Sequence, residues 1–292
     1  MSELSWATAR GGRLAPFLAL VAGAVAMGAS PIFVRLADVG PFASAFWRVT
    51  LALPFLYAWA RLADKEARPR RFSGPVALSG LAFAGDLCFW HLAIMHTSVA
   101  NATFFATTAP IWVVLFGWLL LGQRVKGEVI LGLGLCLAGG AALLAQSLEL
   151  KPAGAVGDGF GLATGLFFGL YFLAVKAARK RASAARVTFE ATLITAAILF
   201  VVAEVREPVL LPRSAGGVAA LLALALISHC GGQGLLAVAL GRLPVAFSSL
   251  VIFLEAIAAA GLGWLVLGEP VSWVQGLGGL AILIGIFVAG PR

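Results

Sequence analysis

Ten stretches of roughly 20 mostly apolar residues, parted by short clusters of charge and proline, dominate this chain of 292 residues. They run over 15–36, 41–62, 73–95, 98–121, 126–146, 156–178, 185–205, 213–240, 243–267 and 270–290, and are numbered here as spans one to ten. A helix of about 20 residues is about 30 Å long, the thickness of the hydrocarbon core of a bilayer. In lipid every backbone polar group must be satisfied within the protein, which leaves helices and closed barrels. Barrel strands alternate apolar and polar positions over short segments, and these runs do not. Composition agrees. Only 12% of residues are charged, half of the roughly 25% a water-borne domain uses to cover its surface. The predicted fold class is an all-α membrane protein of ten transmembrane helices. The first run is too long for the core of a signal peptide, and further spans follow it. Most of the 35 glycines lie inside the runs, often three or four apart, a spacing that lets membrane helices approach closely. Cys88, Cys136 and Cys230 are scattered among the spans, which argues against a disulfide framework or a thiolate metal site.

Loop charge tests the count. With the N-terminus in the cytoplasm, Arg35, Lys151, Arg206 and Arg213 fall outside and Arg48 falls within span two; all other Lys and Arg lie inside. Such an asymmetry is the positive-inside signature, and one missed span would scramble it. Both termini are therefore predicted to be cytoplasmic. The net charge of +8 becomes a topology signal and calls for no nucleic-acid partner.

The chain also repeats itself. Moved forward by 146 positions, residues 84–146 fall on 230–292 without a gap. Gly117-Trp118-Leu119-Leu120-Leu121-Gly122-Gln123 meets Gly263-Trp264-Leu265-Val266-Leu267-Gly268-Glu269, and Gly132 and Gly139 meet Gly278 and Gly285. With a slightly shorter shift, Gly28 and Arg35 meet Gly169 and Lys176. Two units result, 15–146 and 156–290, each of five helices. Five is odd, so the copies are predicted to sit upside down relative to each other. Arg124 and Lys126 lie in an inside loop, while their counterparts Pro270 and Ser272 are uncharged, as an outside loop requires. Inverted repeats of this kind place a solute site near the midplane, between the halves.

Ionisable groups inside a membrane cost about 2.5–3.5 kcal/mol on insertion scales, so each needs a reason. Arg48, Asp86, Glu190 and Glu255 stand out. Arg48, early in span two, either snorkels outward or caps carbonyls at the repeat interface, or touches a solute. Glu190 is close to the cytoplasmic end of span seven. Asp86 and Glu255 are deeper; each either binds a substrate ammonium, carries a proton, or is hydrogen-bonded to a neighbouring helix. Asp86 and Trp90 are four apart and share a face, with His91 at its edge. In span four Asn101, Phe104, Phe105 and Thr108 form a polar-aromatic stripe, and Ser248, Ile252 and Glu255 form another in span nine. Tyr171 and Gln233, beside the glycines of spans six and eight, complete the candidate substrate-binding set of Asp86, Trp90, His91, Asn101, Phe105, Thr108, Tyr171, Gln233, Ser248 and Glu255. Arg48, Gly28 and Gly169 are candidates for structural or gating roles. The glycines are read as hinges or as close packing points. The spacing of His91 and His229 with Asp86 makes no metal site, and no cofactor is implied.

The segment Ala93-Ile94-Met95-His96-Thr97-Ser98-Val99-Ala100, together with Arg48, Pro110 and Leu267-Gly268-Glu269, resembles the drug/metabolite transporter superfamily, in particular its ten-helix members built from two EamA-type units. Gln123 and Ala256 depart from that pattern, standing where Glu and Pro are expected. The resemblance implies a bacterial inner-membrane exporter of amino acids, including aromatic ones, or of cationic drugs. It also implies a central cavity ringed by spans one to four and six to nine, with five and ten peripheral. The expected partners are the bilayer and an amino acid or amphipathic metabolite, and the expected working unit is a monomer. Other classes fare worse. A lipid-modifying membrane enzyme needs clustered carboxylates or a metal set, and no Asp/Glu pair at helical spacing occurs in any span. A channel needs a filter or a charged collar. No Walker sequence exists to hold ATP.

Overall fold

The computed structural model describes residues 3–64, 73–97, 99–145, 154–268 and 271–290, and every regular element among these is helical. Span one comprises α1 (Glu3–Gly28) and α2 (Ser30–Leu36), and span two α3 (Pro41–Thr50) and α4 (Leu53–Ala63). Span three is α5 (Gly74–His96), span four α6 (Val99–Ala106) and α7 (Ala109–Leu121), and span five α8 (Gly127–Leu144). Spans six and seven are α9 (Ala155–Ala178) and α10 (Ala184–Arg206). Span eight joins α11 (Ala215–Ala223), a π-helix (Leu224–Gln233) and α12 (Gly234–Leu240). Spans nine and ten are α13 (Val245–Val251) with α14 (Leu254–Leu267), and α15 (Trp273–Ala289). The basic stretch 65–71, Ser98, Lys151, Glu269, Pro270 and Arg292 lie outside the described residues.

Several spans expected as single helices are divided, for identifiable reasons. Pro31, Pro54 and Pro110 each stand one or two residues into the second helix of spans one, two and four. Proline lacks the backbone donor and its ring collides with the carbonyl four residues back, so the helix gives way just ahead of it. Span nine breaks at Ile252–Phe253 although Ala256 occupies the position equivalent to Pro110. There the turn is tightened by short-range bonds, Phe253 N–H to the Leu250 carbonyl at 3.1 Å and Glu255 N–H to the Ile252 carbonyl at 2.9 Å. The division of span nine thus survives without the residue that explains it in span four.

The repeat is visible as a two-fold relation. Cys136 Sγ lies 3.6 Å from the Ile282 carbonyl, and Ile282 is the repeat equivalent of Cys136. On either side of this pair, Gly132 abuts the Gly285 carbonyl and Gly139 abuts the Gly278 carbonyl. Residue numbers rise along span five as they fall along span ten, so the two helices are antiparallel. Exchanging the repeats carries the contact of Gly132 with Gly285 onto that of Gly278 with Gly139. Only a two-fold axis across the helices does this, and it turns one repeat upside down relative to the other. The same operation relates span one against span nine to span six against span four. A side chain at Gly28 would meet the Glu255 carbonyl, Ala258 Cβ and Ala259 N; one at Gly169 would meet the equivalent atoms of Ala109, Trp112 and Val113. Spans four and nine both end in a left-handed glycine, Gly122 at φ 60° and its counterpart Gly268 at φ 68°, the conformation that closes a helix cheaply only without a Cβ.

The ends of spans two and seven are tied crosswise. On the outer side, as the loop charges assign it, the Glu207 carboxylate accepts from the backbone N–H groups of Phe42 (2.5 Å) and Ala43 (3.1 Å) at the start of α3. On the inner side Ser183, which caps α10, donates to Asp64 Oδ2 at 2.8 Å. Trp47 Nε1 donates to the Leu210 carbonyl at 2.6 Å, anchoring span two to the second repeat.

Candidate functional site

A cavity lies between the repeats, walled by spans one, two, three, four, six, eight and nine. It holds about 100 Å³ of space reachable by the centre of a water-sized sphere; one such sphere needs about 10–15 Å³. Its walls come from the middle and outer halves of the spans. Below it, Leu20, Ala24, Leu236, Leu240 and Val251 are fully buried, an apolar layer that seals the inner side.

Arg48, Asp86 and Glu255 all reach this cavity. Arg48 and Asp86 are each 9% exposed. Arg48 Cζ stands 5.8 Å from the ring centroid of Phe83, a cation–π contact that holds the guanidinium across the chamber. Trp90 and Phe168 add aromatic wall, and Thr103, Thr107 and Thr164 add hydroxyls. Three buried polar atoms of cavity residues have no hydrogen-bond partner among the described residues: Arg48 Nε, Ser30 Oγ and Gln233 Oε1. The amide nitrogen of Gln233 is directed at Met27 Sδ, 3.2 Å away. A buried polar atom left unmet costs about 1–3 kcal/mol, and these three border a cavity with room for water or a small polar solute.

Of the residues singled out in the sequence, Asp86, Trp90, Gln233, Ile252, Glu255 and Arg48 line the cavity. The others are placed elsewhere. His91 is buried with Nδ1 bonded to the Leu87 carbonyl of its own helix at 2.6 Å. Asn101 donates to Asp158 at 2.9 Å, tying span four to span six. Phe105 and Thr108 pack on Gly161 and Gly165 of span six. Tyr171 is buried against Phe83 and Phe168, one layer behind the wall. Ser248 donates to the Pro244 carbonyl at 3.0 Å, while Ile252 and Glu255 of the same stripe do reach the cavity. Gly28 and Gly169 are close-packing points. Glu190 pairs with Arg186 at 2.7 Å near the inner end of span seven. His229 bonds Thr192 of span seven at 2.8 Å.

Sequence reasoning missed Ser30, Phe83, Thr103, Thr107 and Phe168. The signal was present for three of them. Thr103 and Thr107 are four apart and share the face opposite the Asn101–Thr108 stripe. That stripe turns toward span six because span six offers glycines at 161, 165 and 169 to receive its side chains. Phe83 precedes Asp86 by three and shares its face.

Comparison with known proteins agrees with this architecture. The EamA-like transporter family matches residues 14–145 and again 155–290. An uncharacterized transporter of Archaeoglobus fulgidus is 30% identical over 293 aligned positions, covering 93% of this chain and 94% of that protein. A second uncharacterized transporter of the same organism is 30% identical over 151 positions, 48% of this chain and 50% of its own. A solved crystal structure superposes with a TM-score of 0.83 over 95% of this chain and 97% of its own; at 20% identity it shares the fold alone. With two matched units, a two-fold between them and a polar cavity on that seam, this chain belongs to the EamA-like transporter family and is a multi-pass membrane transporter.

Proposed function

We propose that the protein is a secondary transporter of the bacterial inner membrane that exports amino acids, aromatic ones included, by alternating access through the inter-repeat cavity. The observation that carries the reading is the joint presence of Arg48, Asp86 and Glu255 with Phe83, Trp90 and Phe168 around one small chamber. A zwitterion presents a carboxylate and an ammonium a few ångströms apart, and a chamber with both charge signs and apolar walls offers partners to each. The inner seal and outer cavity support a state closed to the cytoplasm. Exchange of the two repeats about their two-fold supplies the opposite state.

The test is counterflow in proteoliposomes with a panel of labelled amino acids, with and without a pH gradient, for the wild type and for Arg48→Gln, Asp86→Asn and Glu255→Gln. Uptake of aromatic amino acids, lost in Arg48→Gln, supports the reading; a flat response over the panel refutes it. Two carboxyls against one guanidinium also suit a cationic drug. In that case Arg48→Gln raises transport of the cation, because it removes a like charge.

A further inference from the structure

A second concave surface faces the lipid. It holds about 1200 Å³ and lies between span one, span nine and span ten. Phe17, Phe247, Leu254, Leu262, Ile286 and Phe287 are among its walls, and all of its lining residues are apolar or glycine. Phe17 and Phe247 stack at 6.2 Å to form its floor. At the inner end the lining includes Leu243, which belongs to the turn following α12. Cations converge on that turn. Lys176 Nζ donates to the Leu243 carbonyl at 2.8 Å. Arg179 Nε donates to the Ala237 carbonyl at 2.8 Å, and its guanidinium lies over Gly241. Arg242 is exposed in the turn itself and acts electrostatically on Arg179; Lys180 is exposed four residues beyond Lys176, just past the end of α9. Burial and then Arg242 hold the Arg179 guanidinium below its ordinary value, with Asp64 opposing. Lys176 and Arg179 are met by main-chain carbonyls at the end of a helix, dipoles that steady the cations without neutralising them. The positive-inside rule accounts for basic residues on this side. It does not account for their meeting where an apolar groove reaches the inner membrane surface.

We infer that this groove and the Lys176–Arg179–Lys180–Arg242 cluster form one binding site for an anionic phospholipid of the inner leaflet. Its phosphate would rest against Arg242 and Lys180 and its acyl chains in the groove. Basic pockets between helices on the cytoplasmic side suit such headgroups, each cation contributing about fivefold in affinity.

The test uses the full chain purified in detergent, with native mass spectrometry counting retained lipid and thermal melting reporting stabilisation. Phosphatidylglycerol and phosphatidylcholine of identical acyl chains are compared, with inorganic phosphate alone as a third arm. Preferential retention of phosphatidylglycerol is expected. The double variant Arg242→Ala/Lys180→Ala should lose that preference by roughly 30-fold. The variant Gly261→Phe should plug the groove and reduce retention of both lipids. Gly261 lines the groove and an added Cβ there meets nothing within 4 Å, so the new side chain starts into open space, and its melting curve without lipid reports that the fold is intact. Equal retention of the two lipids by the wild type overturns the proposal. So does unchanged retention in a folded Gly261→Phe, or stabilisation by inorganic phosphate equal to that by phosphatidylglycerol. Transport enters none of these readouts, so the result is independent of the substrate proposed above.

Discussion

Replacing Gly28 by alanine places a methyl group into the seam between spans one and nine. Its Cβ would stand 2.6 Å from the Glu255 carbonyl oxygen and 2.7 Å from Ala258 Cβ, where ordinary contact begins at 3.4 Å, a shortfall of about 0.8 Å. The obstacles are backbone and a Cβ, neither of which can swing aside, so the helices themselves must separate. Overpacking of this kind costs about 1–3 kcal/mol, offset by up to about 1 kcal/mol from exchanging glycine for alanine within a helix. A net loss of about 1–2 kcal/mol is expected. Gly169 provides the internal replicate. Its Cβ would stand 2.8 Å from Trp112 Cβ and 3.0 Å from the Ala109 carbonyl, a slightly smaller misfit against the repeat-equivalent atoms, so Gly169→Ala should lose somewhat less. Gly134 and Gly276 have nothing within 4 Å of an added Cβ, and alanine at either should be neutral or stabilising. Denaturant or thermal unfolding in one detergent gives the ranking. The same four variants in the counterflow assay report whether the seam must move, because Gly28 sits directly behind the carbonyl of Glu255. If Gly28→Ala proves as stable as Gly134→Ala, the reasoning from close approach fails.

Three further outcomes follow from the structure. At Asp38 what burial there is raises the carboxyl, but hydrogen bonds from the Ser214 hydroxyl and from the Arg213 and Ser214 backbone outweigh it and leave the pKa below its ordinary 3.8. A depressed folded pKa stabilises the protein above the unfolded value, and the benefit is lost as pH falls through the folded one. Asp38→Asn should therefore melt below the wild type at pH 7, with the gap closing as pH falls beneath 3.8; a gap that persists in acid refutes the assignment. Glu207→Ala leaves Phe42 and Ala43 N–H without their carboxylate at the start of α3 and should cost about 0.5–2 kcal/mol in unfolding measurements. Ala256→Pro should cost no more than about 1 kcal/mol, the loss of one hydrogen bond from Ala256 N–H to the Phe253 carbonyl. In an unbroken helix interior proline costs about 3 kcal/mol, and Ala260→Pro, melted side by side, provides that comparison.

Apolar run length and loop charge suffice for the helices, their number and their sidedness, because lipid forbids an unsatisfied backbone and positive loops stay inside. The internal match of 84–146 with 230–292 sufficed for the two-unit plan, since glycines recur where helices must touch, Gly132, Gly139, Gly278 and Gly285 at one crossing and Gly28 and Gly169 at the related pair, and where a helix closes in the left-handed region, Gly122 and Gly268. The rotation of each span about its own axis was not legible. A helix whose every face is apolar gives no periodic signal of which face is inward, so Asn101, Phe105 and Thr108 fell on the span-six side and Thr103 and Thr107 on the cavity side. Helix breaks compound this: a division at Ile252–Phe253 with no proline, and ten π-helical residues in span eight, change the phase of all that follows. Arg48, Asp86 and Glu255 were identifiable one by one as costly charges. That they meet in one chamber, and that Ser30 and Gln233 place beside it oxygens with no partner among the described residues, is a property of seven spans packed together, which only the tertiary structure decides.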